Sequence, residues 1–287
     1  LCDLCSAVLR ATDDAGAVSG ATVTDEAVDP WNIKYQMVDG VAVLTLKGAK
    51  IGSYDAEAGT ITGTASIGGN PDYATAPLKL VVLESSTMAS TTQNINGNTS
   101  ISGVTIETVG DATLDLIAEG TYNNIALAAG TVAFNNANVT VKRIGVSYKN
   151  YPLIDCKKLD VTGGSVTVDG AAYKSEYASI KASESAVIDG ATFVFNSVSG
   201  YYGKGLSTPS LTIKGGADVS LKAPTGNAML DVADAVIEGD SNLYVYGSGY
   251  QAVVATGTFT VNSGTVKLNS FTTPMTGALV INGGKVI

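Results

Sequence analysis

A ten-residue segment, Leu159 to Val168 (LDVTGGSVTV), constrains the fold of this chain more than any other part of the sequence. It contains two short stretches of alternating apolar residues, and Gly-Gly separates them. Alternation with a period of two is typical of half-buried β-strands, and glycine accepts the positive φ angle that a sharp corner requires. The segment therefore predicts two short strands that meet at a glycine corner.

The same pattern returns along the C-terminal part of the chain. Clear copies begin at Leu211 (LTIKGGADVSL), Phe259 (FTVNSGTVKL) and Leu279 (LVINGGKV), and looser copies begin at Ala186 and Ala235. With two weaker repeats added, we place the repeat starts at Thr99, Ile125, Leu159, Ala186, Leu211, Ala235, Phe259 and Leu279. Repeats of this length that contain only short strands are typical of a solenoid, in which each coil buries its apolar face against the next.

The sequence thus predicts an all-β fold, a right-handed parallel β-helix (β-solenoid) whose coils stack about 4.8 Å apart. The right hand follows from the usual chirality of parallel crossovers. No long amphipathic helical stretch interrupts the repeats, which disfavours leucine-rich and βαβ folds. The residue before each corner is polar and is expected to face water, as in Thr162, Asp189, Lys214, Glu238, Asn262 and Asn282.

The N-terminal part of the chain lacks this regular repeat. We expect residues 1–75 to form an N-terminal β cap or small β subdomain, and residues 76–287 to form the solenoid. Within the first part, Val41 to Lys47 (VAVLTLK) predicts a strand that follows an Asp39-Gly40 turn. Trp31 is expected to anchor the core of this part, with contact to a ligand at the surface as the alternative.

Composition excludes several classes of function. The chain has 17 basic and 26 acidic residues, so its net charge of −9 argues against binding to nucleic acid or to anionic lipid heads. No apolar run reaches about 18 residues, so we expect no membrane insertion. The chain contains no histidine, which excludes Ser-His-Asp and Cys-His catalytic pairs and HExxH zinc sites.

The three cysteines predict neither a metal site nor a cofactor. Cys2 and Cys5 have CxxC spacing, but there is no second pair and no histidine to complete a zinc site. Whether these two cysteines pair with each other is left open. Cys156 alternates with apolar neighbours and is expected to be a small core residue.

Catalysis is not expected, although a glycosidase needs only two well-placed carboxylates. Arg143 is the one arginine of the predicted solenoid, and the repeat register places no convergent carboxylates around it. Asp155, Asp160 and Asp169 are candidates only because they lie on neighbouring turns. We therefore predict no catalytic residues and no metal ligands.

Tyrosines recur in the loops that follow the second strand of the repeats. They are Tyr148, Tyr151, Tyr173, Tyr177, Tyr201, Tyr202 and Tyr250. If they stack on one face, they offer π surfaces to the C–H faces of sugar rings, and the alternative is that they pack between coils. Asparagines near strand ends are expected to form structural hydrogen bonds along the solenoid, namely Asn135, Asn136, Asn196 and Asn269.

The repeats resemble those of secreted and cell-surface β-helix proteins of gut bacteria, which follow the pattern LTIsGGtVtV. The matching residues are Leu159–Val168 and Leu211–Gly216, and Trp31–Gly48 and Leu78–Glu84 are similar to the segments that precede such repeats. The resemblance implies a secreted or surface-anchored bacterial protein of the adhesin-like or carbohydrate-binding type. It carries no catalytic residue.

We therefore expect a non-catalytic surface or secreted protein that binds a glycan or host polymer along one face. One alternative is a structural stalk or assembly module without a ligand, and another is a polysaccharide lyase or glycoside hydrolase. The last repeat reaches Ile287 without a polar cap, so we expect a partner or further chain to cover it. The sequence does not predict the oligomeric state.

Overall fold

The structure is a computed structural model in which every regular element is a β-strand. It describes residues 6–9, 32–63, 67–68, 77–91, 94–96, 102–119, 125–144, 151–170, 178–197, 204–223, 228–247, 251–269 and 272–287. No helix occurs in these ranges, and consequently none that could cross a membrane. The all-β prediction is confirmed.

The strands alternate with short corners and loops. In chain order they are β1 (Ser6–Leu9), β2 (Ile33–Val38), β3 (Val41–Lys47), β4 (Lys50–Ile51), β5 (Ser53–Asp55), β6 (Thr60–Gly63), β7 (Ile67–Gly68), β8 (Leu78–Glu84), β9 (Ser86–Ser90), β10 (Ile95–Asn96), β11 (Gly103–Thr108), β12 (Leu114–Glu119), β13 (Leu127–Ile144), β14 (Ile154–Asp169), β15 (Ala178–Asp189), β16 (Thr192–Asn196), β17 (Lys204–Lys214), β18 (Asp218–Ala223), β19 (Ala228–Ile237), β20 (Asn242–Gly247), β21 (Gln251–Val261), β22 (Thr265–Asn269), β23 (Thr273–Ile281) and β24 (Lys285–Val286).

Strands of successive coils pair in parallel and form three ladders. Ladder A joins β3, β8, β11, β13, β14, β15, β17, β19, β21 and β23. Ladder B joins β4, β9, β12, β13, β14, β16, β18, β20, β22 and β24. Ladder C joins β7, β10, β13, β14, β15, β17, β19, β21 and β23. Long strands such as β13 and β14 continue around corners and so enter all three ladders. Parallel coils stacked in this way form a β-solenoid, as predicted, and its right hand stays a prediction.

The predicted register is confirmed for six repeats. In ladder A, consecutive coils pair the residues Leu159, Ala186, Leu211, Ala235, Phe259 and Leu279. The two earlier starts, Thr99 and Ile125, are wrong, because Leu159 pairs with Val132, and Val132 pairs with Val104.

The misplaced start at Ile125 has a physical cause in the corner of β13. There Asn135, Asn136 and Ala137 occupy the positions that Thr162, Gly163 and Gly164 occupy in β14. Asn136 has a φ of 47°, so it takes the left-handed conformation that Gly163 takes in the next coil. Asparagine tolerates this conformation better than most residues do. A search for glycine corners therefore passes over this one.

The repeat also extends towards the N terminus. β3 pairs in parallel with β8, and β4 pairs in parallel with β9, so Val41–Ile51 belongs to the same sheet as the repeats. β2 adds to β3 in antiparallel fashion, and β1 adds to β2. The predicted strand Val41–Lys47 and its Asp39-Gly40 turn are confirmed. Trp31 and the predicted domain boundary at 75/76 lie outside the described residues.

The core lies between the three ladders and consists of their inward-facing side chains. Its largest fully buried members include Phe134, Phe193, Phe195 and Phe259. In the last coil, Leu279 and Ile281 take the inward positions of ladder A and are exposed. That a partner or further chain covers this coil stays a prediction.

Polar side chains outside the core connect neighbouring coils. None of the polar residues that precede the corners is buried, as predicted, and Lys214 Nζ lies 3.5 Å from Asp189 Oδ2. Two of the four predicted asparagines donate side-chain hydrogen bonds between coils. Asn135 donates to Glu107 (2.9 Å), and Asn196 donates to Asp169 (2.9 Å). The acceptors are carboxylates, so these bonds differ from the expected stack of asparagine amides.

Two corner glycines allow a matched test of the packing between coils. Gly164 (φ 68°) and Gly216 (φ 75°) have similar backbone angles, but a Cβ at Gly164 would lie 2.5 Å from the backbone N and O of Ala137. At Gly216 the nearest such atom is 4.0 Å away. We expect Gly216→Ala to lower the free energy of unfolding by about 1–2 kcal/mol through strain alone. Gly164→Ala should cost about 3 kcal/mol, because overpacking adds to that strain. Urea unfolding followed by circular dichroism measures both variants, and equal losses would contradict the close approach at Gly164.

Candidate functional site

The predicted column of loop tyrosines falls largely outside the described residues. This applies to Tyr148, Tyr173, Tyr177, Tyr201, Tyr202 and Tyr250. Tyr151 is described and is 38% exposed. Its backbone carbonyl accepts a hydrogen bond from Arg143 Nη2 at 2.7 Å. The column as a binding site stays a prediction.

Arg143 has a structural position. It is buried near the end of β13, and burial lowers the pKa of its guanidinium to about 10. The side chain therefore remains charged at neutral pH, and its bond to the Tyr151 carbonyl ties two successive coils together. A buried arginine held by a backbone carbonyl is poorly placed to act as a base on a polymer at the surface.

The three aspartates considered as catalytic candidates lie on different ladders. Asp155 belongs to ladder C, Asp160 to ladder A and Asp169 to ladder B. Burial raises the pKa of Asp155, and the charge of Lys181 partly opposes this effect. The three aspartates therefore do not share one ladder. Within the described ranges, no group of three or more Cys, Asp or Glu residues could hold a metal ion.

The structure brings together a different pair of tyrosines, on a strand of ladder B. In β20, Leu243 and Val245 point inward and are fully buried, so Tyr244 and Tyr246 point outward. Their ring centroids are 6.2 Å apart and their planes differ by 20°. Both side chains are partly exposed. The two rings thus form an ordered aromatic pair on a rigid sheet surface.

The strands on either side place polar and cationic side chains next to this pair. In one column, Ser220, Tyr244 and Lys267 follow each other on consecutive coils, and in the next column, Lys222, Tyr246 and Asn269 do so. We call the outward residues of β18, β20, β22 and β24 the ladder-B patch, and none of them is buried. Its members are Asp218, Ser220, Lys222, Asn242, Tyr244, Tyr246, Thr265, Lys267, Asn269 and Lys285. Within it, Asn242 donates a hydrogen bond to Asp218 at 2.8 Å.

The opposite end of the same outer surface is covered by the chain itself. The antiparallel hairpin β5–β6 packs Tyr54 and Ile61 against Ala89, Ile117 and Ile144. Lys142 Nζ lies 5.9 Å from the centroid of the Tyr54 ring, within the range of a cation–π contact. The hairpin thus covers apolar residues on the outer surface of the early coils of ladder B, whereas the ladder-B patch lies on later coils.

An open groove of about 370 Å³ lies where ladder C turns into ladder A. Small residues such as Ala182, Ser183 and Thr208 line it. Its one described carboxylate, Asp231, forms an ion pair with Lys204 and accepts a hydrogen bond from Ser207 at 3.3 Å. This carboxylate is thus already paired within the chain, and the exposed Lys181 also lines the groove.

The sequence contained a signal for the aromatic pair that loop-based reasoning overlooks. In NLYVYG, two tyrosines alternate with two aliphatic residues. A period of two places both rings on the same face of a strand, opposite the core. The sequence does not predict which outward positions the β5–β6 hairpin covers.

Comparison with known proteins identifies no relative. No family model matches the chain, and neither a curated protein nor a solved structure matches it at a significant level. A function must therefore be inferred from the chain's own residues.

Cys156 is a core residue, as predicted, and its chemistry can be tested. It is 4% exposed, and burial, assisted by the charges of Asp155 and Asp160, raises the pKa of its thiol to about 12. At pH 8 the reactive thiolate is then about one part in ten thousand. We expect iodoacetamide to leave Cys156 unmodified in the folded protein and to label it fully in denaturant, as peptide mass spectrometry would show. Rapid labelling of the folded protein would contradict this burial.

Proposed function

We propose that this protein is a non-catalytic, adhesin-like β-solenoid of the bacterial surface or secretions, and that it binds a glycan on the ladder-B patch. The observation that carries the proposal is the outward pair of Tyr244 and Tyr246 on a strand whose alternate residues are locked in the core.

Aromatic rings suit sugars for a physical reason. The face of the ring is electron-rich, and a pyranose presents C–H groups of opposite polarity on its own faces. Side chains such as Ser220 and Asn269 lie in the same columns and can exchange hydrogen bonds with hydroxyl groups at the edge of a stacked sugar. The patch therefore combines stacking with polar recognition.

The sheet also lowers the cost of binding. Leu243 and Val245, which flank Tyr244 in the chain, are fully buried, so the backbone beneath the rings is fixed before a ligand arrives. Tyrosine has only two side-chain torsions to order, and each ring already contacts the other. Preorganisation of this kind increases affinity, because less conformational entropy is lost on binding.

Several observations support a binding role over a catalytic one. Asp155, Asp160 and Asp169 lie on separate ladders, and Arg143 is buried against a carbonyl. The resemblance of the repeats to surface proteins of gut bacteria supports an extracellular setting. A lyase or hydrolase remains the alternative that product assays address.

A structural stalk is the second candidate, and ladder A favours it. Its outward column after Asp160 consists of Val187, Thr212, Val236, Thr260 and Val280. Short β-branched side chains of this kind suit a strand surface but offer little chemistry for recognition. A stalk would need no ligand on any ladder.

We expect a glycan array to yield reproducible ligands and the tyrosine pair to carry part of their affinity. Tyr244→Ala and Tyr246→Ala should each weaken binding by about tenfold, the equivalent of about 1.4 kcal/mol. The melting temperature should change little, because both rings are partly exposed. Titration calorimetry and thermal unfolding measure the two effects.

Two sets of controls separate the alternatives. Tyr151→Ala, Tyr173→Ala and Tyr201→Ala test the predicted loop column and should leave affinity unchanged. If only the loop variants lose affinity, the binding site is the loop column and not the ladder-B patch. An array without any ligand would favour the stalk, and reducing-end or unsaturated products from bound polymers would reveal an enzyme.

A further inference from the structure

We propose that the glycan bound at the ladder-B patch is anionic, and that Lys222 and Lys267 contact its carboxylate or sulfate groups directly. This inference rests on the proposed function and names the class of ligand. Its basis is the placement of charge around the two tyrosines.

The patch is cationic on an acidic protein. The whole chain has 26 acidic and 17 basic residues, whereas the patch has three lysines and one aspartate. The lysines are Lys222, Lys267 and Lys285, and the aspartate, Asp218, accepts a hydrogen bond from Asn242. The sign of the local charge is thus opposite to that of the molecule.

Each tyrosine has a lysine beside it in its own column. Lys222 precedes Tyr246 by one coil, and Lys267 follows Tyr244 by one coil. Paired strands lie about 4.8 Å apart, and a lysine side chain is long enough to reach over a neighbouring ring. A sugar stacked on either tyrosine would therefore bring its ring substituents within reach of an ammonium group, on opposite sides of the aromatic pair.

These lysines also differ in their partners from three other lysines of the solenoid. Lys79 lies 2.8 Å from Glu107, Lys214 lies 3.5 Å from Asp189, and Lys204 pairs with Asp231. Among the carboxylates that the structure describes, none lies within ion-pair distance of the three patch lysines. Their charge is therefore left for a ligand.

The same surface suits an acidic glycan better than a nucleic acid. Nucleic-acid binding requires a continuous basic track along the phosphates, and the patch offers three lysines on a chain with a net charge of −9. A polysaccharide with one acidic group per one or two sugars needs only a few cations beside its stacked rings. Lysine acts as a point charge towards such groups, so direct contact needs no bridging metal.

The experiment compares acidic polysaccharides with their own neutralised forms on the intact protein. The probes are alginate and polysialic acid, each beside its methyl-esterified form, and chondroitin sulfate beside a form that is both desulfated and methyl-esterified. Desulfated chondroitin that keeps its carboxylates is a further arm. We expect at least one acidic polymer to bind more than tenfold tighter than its neutralised form, also in EDTA. The desulfated arm tells sulfate recognition from carboxylate recognition. Binding should weaken between about 0.05 and 0.5 M NaCl, because salt screens exposed charges.

Lysine-to-glutamine variants test whether the preference for acidic polymers arises at the ladder-B patch. Lys222→Gln and Lys267→Gln keep the length of the side chain and remove its charge. Each should weaken binding of the acidic polymer by about two- to fivefold, as expected for an exposed ion pair, and leave any binding of the neutralised polymer unchanged. Lys158→Gln, on an exposed position of ladder A, is the control and should have no effect.

The outcomes separate this inference from the proposed function. Equal binding of the acidic and neutralised polymers would overturn the anionic ligand while the aromatic glycan site stands. The same follows if only neutral glycans of the array bind. If Lys158→Gln weakens binding as much as the two patch variants do, the attraction is general and the patch is not its site. The same conclusion follows if a single-stranded oligonucleotide binds as tightly as the acidic polysaccharide. If no glycan binds at all, the proposed function and this inference fall together.

Discussion

The parallel pairing of each coil with the coil before it is the constraint on which the rest of this molecule depends. A single coil has too few inward side chains to bury, and its backbone groups point along the solenoid axis towards the next coil. Stacking satisfies both needs at once, provided that each corner keeps the same position. Glycine at Gly163 and asparagine at Asn136 meet this condition, because both accept a positive φ. Corners therefore determine register, and register determines which side chains meet in the core.

The same pairing leaves the outer surface of the ladders free to vary. Alternation sends every second side chain outward, and stacking places the outward residues of successive coils in columns. In ladder A the outward column after Asp160 contains only valine and threonine, whereas in ladder B it contains Tyr244 and Lys267. Identical core requirements thus support quite different surfaces. Recognition at Tyr244 is rigid, since this residue lies between the buried core residues Leu243 and Val245.

Sequence reasoning predicted the solenoid and most of its register because these follow from local chemistry. Alternating aliphatic residues and glycine corners locate every coil from Leu159 onward. It failed at Val132, because Asn135 and Asn136 replace the glycine corner there. Sequence reasoning also assigned the binding site to tyrosines in loops and did not include Tyr244 and Tyr246. The position of a side chain within a strand is local information, but its exposure depends on distant segments such as the β5–β6 hairpin, which no local pattern reveals.

That hairpin shows how the chain treats aromatic and apolar groups on an outer surface. Ala89, Ile117 and Ile144 lie outside the core on early coils, and Tyr54 and Ile61 cover them, as the hydrophobic effect favours. On later coils the outward aromatic residues Tyr244 and Tyr246 stand among lysines and amides instead. Apolar side chains need a cover, whereas tyrosines with polar neighbours remain stable at the surface and available to a ligand. The two ends of ladder B therefore differ in the chemistry of their outward residues. The apolar residues of the early coils are packed under the hairpin, and the tyrosines and polar residues of the later coils form a surface suited to binding.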